Sequence, residues 1–180
     1  MTMWQKLSKH YPVHLESIPL LLLATAFYLV ATSYVLLPDN IPTHFDALGT
    51  PDEWGSRSAI FIFPGISAFL YVILTFLNVL LALAKDPRRY INLPRKRLEN
   101  LTPVRAEKLA VILNRSLFGL KIFILGLTLY SVYITIEVAL GRAAGLGAPF
   151  FVLLAGVLVV VIYMTWQSFR LTAIARRPAR

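Results

Sequence analysis

The chain alternates long apolar runs with shorter polar segments, and this pattern predicts four membrane-spanning helices. The runs extend from about Ile18 to Leu37, Ala59 to Ala84, Leu109 to Leu140 and Pro149 to Phe169. Each meets the roughly 20 residues that cross a hydrocarbon core of about 30 Å. Backbone groups in lipid need partners within their own segment, so each run is expected to be a helix. Transmembrane strands alternate polar and apolar residues, and these runs do not, which argues against a barrel. The first run is too long for the apolar part of a signal peptide and has no small-residue cleavage site after it. It is expected to be a retained helix.

The polar segments divide the chain further. Residues 1–17 form a flank with Trp4, Lys6, Lys9 and Tyr11, read as an interfacial segment before the first span. Residues 18–84 make a helix–loop–helix unit around a polar loop at 38–58. Residues 85–108 are a basic loop, 109–170 a transmembrane hairpin joined by the glycine-rich stretch Gly141 to Ala148, and 171–180 a basic tail. Thr102 before Pro103 has the pattern of an N-cap and first helical residue, so the third helix should start ahead of its apolar run. Pro64 and Gly65 about one turn into the second run suggest a kink.

Charge orients these elements. Fifteen of the eighteen Lys and Arg fall in the N-terminal segment, between Lys85 and Arg115, or between Arg170 and Arg180. By the positive-inside rule both termini and the middle loop face the cytoplasm, and the 38–58 loop faces outward. The basic segments are expected to meet anionic lipid head groups. The net charge of +9 therefore reads as a membrane distribution. No nucleic-acid-binding module accompanies it. With 57% hydrophobic and 15% charged residues, the chain departs from a soluble domain, where about a quarter are charged. The absence of cysteine excludes disulfides, thiolate catalysis and cysteine-ligated clusters.

The outward loop carries four of the nine acidic residues and most of the candidate chemistry. Pro38 and Pro42 stop the helix, and Asp39-Asn40 and Asp46-Ala47-Leu48-Gly49 are turn formers, with Gly49 suited to a positive φ. Trp54 is placed to anchor the loop among head groups. Arg57 can reach Asp46, Asp52 or Glu53. His44 with Asp46 is a sparse metal-ligand pair, and His44 beside carboxylates is a candidate pH sensor. A satisfied loop histidine is the simpler expectation. Within the spans, Lys121 costs roughly 3 kcal/mol at the bilayer centre on insertion scales. Snorkelling to the basic interface is favoured for it over a contact with Asn78. Glu137 is expected to meet Arg142 or the outer loop. No nucleophile elbow or phosphate-binding glycine loop is present.

The loop string Leu37-Pro38, Ile41-Pro42-Thr43-His44-Phe45-Asp46, Gly49, Pro51-Asp52 and Trp54-Gly55-Ser56-Arg57 resembles the signature of the DUF1648 family. That domain of unknown function also occurs in the SdpI bacterial immunity proteins. Tyr90-Ile91-Asn92-Leu93-Pro94-Arg95-Lys96 is similar to a stretch that follows the second span in many members. Asp46 stands where many relatives have Asn, and Arg57 where Lys is common. SdpI-type proteins are longer, so the resemblance implies a bacterial plasma membrane and a helical fold more than an immunity role.

The expected architecture is an all-α, four-helix membrane protein, N-in and C-in, with a structured outward loop. The expected function is non-enzymatic, with no cofactor: partner recognition through Pro42, His44, Asp46, Gly49, Asp52, Trp54 and Arg57. It would act as an accessory subunit of other membrane proteins or in an immunity- or sensor-like role. The alternatives are a small transporter component with a polar pocket near Asn78 and Lys121, or a metal-dependent enzyme centred on His44 and Asp46.

Overall fold

The computed structural model describes residues 7–8, 10–90 and 101–173. Trp4, Lys6, Lys9, Ile91 to Lys96 and most of the basic tail lie outside them. Four long helices account for most of the described chain: α1 (Ser17–Ser33), α2 (Ile62–Leu83), α3 (Pro103–Ala139) and α4 (Gly147–Thr172). With their flanking 3-10 turns, all four are long and apolar enough to cross a membrane. This is the architecture of a multi-pass membrane protein.

The fold is not wholly helical. Between α1 and α2 the chain forms an antiparallel hairpin of β1 (Asn40–Phe45) and β2 (Pro51–Ser56). The register pairs Asn40 with Ser56, Ile41 with Gly55 and Pro42 with Trp54, then shifts on either side of His44. Pro38 lies in the bend that ends the first helix and Gly49 in the reversing turn, but Pro42 sits within β1 opposite Trp54, and the loop between the turn signals has strand backbone. Its residues alternate only weakly, so periodicity did not reveal it.

α3 is the central element: α1, α2 and α4 all pack against it, while α1 and α2 touch each other less extensively. α4 packs chiefly on α3, and the span carries no buried residue in its most apolar stretch. Small residues line that seam. Gly119 faces Val160, Gly126 faces Leu153, and Gly156 leaves room for the ring of Phe123, as close helix approach in lipid requires.

The ends of the helices follow local chemistry. Thr102 caps α3, its Oγ1 accepting from the Arg105 N–H, with Pro103 as the first helical residue. At 37 residues α3 is about 55 Å long, so it projects well past the membrane on the side of Lys85, Arg88 and Arg89, called here the basic side. Pro64 sits in the first turn of α2, directly after a 3-10 segment at Arg57–Phe61. There a missing N–H breaks little of the helix ladder, and the expected mid-helix kink is replaced by a helix start.

Two connections meet at the other end, the hairpin side. Gly49 adopts φ +85 at the hairpin tip, and its carbonyl accepts the N–H of Leu146 in the α3–α4 connection at 2.8 Å. Leu146 in turn offers its carbonyl to the Tyr130 hydroxyl at 2.8 Å. Ile41, at 1% exposure, joins Val30, Leu37, Ile60, Val132 and Ile136 in a core beneath the hairpin.

Candidate functional site

Two groups of functional side chains result, one at each depth. The hairpin is split by its docking. β1 lies against α3, with Ile41 and Pro42 buried and Phe45 packed on the Ile134, Val138 and Leu146 cluster. β2 turns away: Asp52, Glu53 and Trp54 are exposed, Trp54 at 54%. The outer edge of β2 is a row of strand donors and acceptors with acidic and aromatic side chains beside it.

Each loop residue has a defined place. Asp46 is a turn-former: its Oδ1 accepts from the N–H of Leu48 and Thr50 at 2.9 and 2.8 Å, and its own N–H and carbonyl bond across to Thr50 and Gly49. His44 Nδ1 meets Asp52 Oδ1 at 2.6 Å. Arg57 pairs with none of the three expected acids. It lies 3.9 Å from Asp39 and stacks over the Tyr34 ring at 5.2 Å, because its N–H is already tied to the Asp39 carbonyl at the base of the hairpin. His44 and Asp46 are engaged in different contacts, and no group of three His, Asp or Glu side chains converges to hold a metal among the described residues.

The His44 pKa is raised above its ordinary 6.5, first by the hydrogen bond to Asp52 and then by that carboxylate's charge, with Glu53 and Asp46 adding to it. A raised value means that the pair supports the hairpin below pH 6.5 and that this support is lost as pH rises through the folded value. The His44 imidazole should therefore titrate above 6.5 by NMR, and Asp52→Asn should return the midpoint toward 6.5. An unchanged midpoint in that variant would remove Asp52 as the cause.

The second group lies inside the helices. Lys121 does not snorkel: its side chain is 0% exposed, with Nζ 2.5 Å from Glu16 Oε1, 3.0 Å from Tyr11 Oη and 2.8 Å from Thr75 Oγ1. The rings of Tyr71, Tyr11 and Phe118 surround Nζ at 5.2, 5.3 and 5.7 Å. Tyr71 Oη donates to the other Glu16 oxygen at 2.9 Å. Snorkelling is unnecessary because the chain ahead of α1 folds in beside α3 and brings a carboxylate to the lysine. Tyr11 and His10 are buried there, with His10 Nε2 2.9 Å from Glu107. From Thr75 to Ala84, at the basic end of α2, is nine residues, or about 13 Å, while Glu16 directly precedes α1.

Asn78 does not meet Lys121. It pairs with Asn114, donating to its carbonyl and side-chain oxygens at 2.8 and 2.6 Å, while Asn114 Nδ2 donates to the Asn78 carbonyl at 3.1 Å. Nearer the hairpin, the Ser67 and Thr128 hydroxyls lie 2.6 Å apart. Asn114, Lys121, Thr128 and Thr135 recur every seven residues on α3, two turns apart on one face. Glu137 binds Arg142 at 2.7 and 3.0 Å, as expected, and takes no part in the cluster. Sequence reasoning found Lys121 and Asn78 but missed Tyr11, Glu16, Tyr71, Thr75 and Asn114. The seven-residue polar spacing was the signal available for Asn114.

Residues 20–68 match the family model of DUF1648, a domain of unknown function. The match covers most of α1, the whole hairpin and the start of α2. It excludes Tyr11, Glu16, Tyr71, Thr75, Phe118 and Lys121. An uncharacterized protein of the archaeon Archaeoglobus fulgidus is 30% identical over 112 residues, which is 62% of this chain and 60% of that protein's length. No solved structure matches the chain.

Proposed function

We propose that this is a non-enzymatic membrane protein that recognises a partner through the exposed strand of its outer hairpin. The observation that supports this is the division of labour within the hairpin. β1 and the Gly49 tip are fastened to α3 and to the α3–α4 connection, while β2 presents Asp52, Glu53 and Trp54 to solvent. A fastened strand with an open neighbour is suited to accept an extended segment by strand addition, with side chains setting the choice. The acidic edge favours a segment bearing Lys or Arg. The positive-inside distribution supports reading this face as outward and both termini as cytoplasmic. An accessory subunit and an immunity- or sensor-like protein are two forms of the same reading. With an archaeal relative, the likeness does not single out a bacterial membrane.

A photo-reactive residue at position 54 in the native membrane should cross-link a discrete partner. Glu53→Lys with Asp52→Lys should cut that capture by at least about tenfold, a change of about 1.4 kcal/mol, without altering expression. Undiminished capture by the doubly reversed protein would overturn the reading. The buried Lys121–Glu16 pair favours a second reading, a small transporter component, since ionisable residues within spans mark ligand and ion pathways. Flux into liposomes that Lys121→Ala alters would support it.

A further inference from the structure

The Lys121 ammonium sits in surroundings with the chemistry of a receptor for an organic cation. An ammonium offers three donors, and three acceptors meet it: Glu16 Oε1, Tyr11 Oη and Thr75 Oγ1. Three aromatic rings face it within 5.7 Å, the arrangement by which aromatic cages recognise substituted ammonium ions. Tyr71 holds the second Glu16 oxygen, so the carboxylate is aimed by a partner of its own.

Between α2 and α3 the Lys121–Thr75 contact adds to the neutral pairs Ser67–Thr128 and Asn78–Asn114, while Tyr11 and Glu16 tie the segment ahead of α1 to α3. A buried ion pair adds little net stability over an apolar replacement, and charges are costly to place in a span. Two further features suit a site. The chain between Tyr11 and Glu16 is not continuous α-helix: it passes through Pro12 and a 3-10 turn at Val13–Leu15. This stretch leads into α1 at Ser17 with Tyr11 buried, so its non-helical backbone is packed against protein. One turn from Thr75 toward the basic side, Asn78 Oδ1 is buried with no partner among the described residues, an acceptor left over beside the cage.

We propose that Glu16, Tyr11, Tyr71, Thr75 and Phe118 form a binding site for small organic ammonium cations, with Lys121 as its tethered occupant. A free cation takes the Glu16 carboxylate and the aromatic faces, and Lys121 withdraws. The flexible lysine stem allows Nζ to leave the carboxylate while α3 stays intact. The proposal gives the transport reading a substrate class and rests on no partner of the hairpin. It concerns binding, so a failed flux assay counts against transport alone.

The test uses the intact protein in lipid nanodiscs, acylated with an amine-reactive reagent and analysed by mass spectrometry at Lys121. Tetramethylammonium chloride should raise Lys121 acylation several-fold and saturably, while sodium chloride at equal ionic strength should not. In parallel, n-propylammonium, which restores the three carbons and nitrogen removed in Lys121→Ala, should raise that variant's unfolding temperature. Adding Glu16→Gln should weaken this rescue by at least about tenfold. Rescue without uncovering of Lys121 by tetramethylammonium would make the lysine a fixed strut and overturn the proposal. Equal acylation in sodium chloride would overturn it as well. Where Lys121→Ala does not accumulate, the acylation result on the intact protein decides.

Discussion

Lys121→Ala is expected to destabilise the folded protein by about 3–5 kcal/mol, the cost of stranding one partner of a buried ion pair. The truncation leaves Glu16 with its Tyr71 bond but no countercharge, in a part of the structure where Lys121 itself is 0% exposed. Removing both charges avoids that cost. Glu16→Gln with Lys121→Met should therefore recover most of the loss, because a neutral pair of similar volume is tolerated where half an ion pair is not. Unfolding by titration with a denaturing detergent, in micelles, measures both variants. A lysine reaching the interface would lose under about 1 kcal/mol on truncation, and that result would refute the buried cluster.

Ile41→Ala should cost about 2–5 kcal/mol, the range for large-to-small changes in a packed core. The loss should be local. Ile41 projects from β1 onto the hairpin-side ends of α1 and α3, against Val30, Val132 and Ile136. When the hairpin lifts, that surface faces water instead of lipid, so the hydrophobic effect acts here in full, as it does not between helices within the bilayer. The variant should show faster amide exchange and protease cleavage across residues 38–58, with the four helices retained. Loss of the helices together with the hairpin would show that the two are a single cooperative unit.

The contrast between these two sites explains what could be read from the sequence. Apolar run length located all four helices to within a few residues, because lipid forces each span to satisfy its own backbone. The Thr102-Pro103 start, the positive φ at Gly49 and the Glu137–Arg142 pair were visible because each depends on near neighbours in the chain. Strand structure in the hairpin was not. β1 carries the sequence Asn40-Ile41-Pro42-Thr43-His44-Phe45 with a register shift at His44, so no clean two-residue alternation exists to detect. The charge cluster was hidden for another reason. Glu16 lies 105 residues from Lys121, in a segment that reads as a simple flank, and only the fold shows that this flank enters the helices. Lys121 was conspicuous, but an isolated lysine in a span is compatible with either snorkelling or pairing, and the partner decides.

The bond from Leu146 to Gly49, continued from Leu146 to Tyr130, has a mechanical meaning. It makes the hairpin tip the short arm of a lever whose long arm is α3. Tyr130 lies nine residues from Lys121, about 13 Å along the same stiff rod. A force applied to the tip is therefore delivered to the helix that carries the buried lysine rather than dissipated in a slack loop.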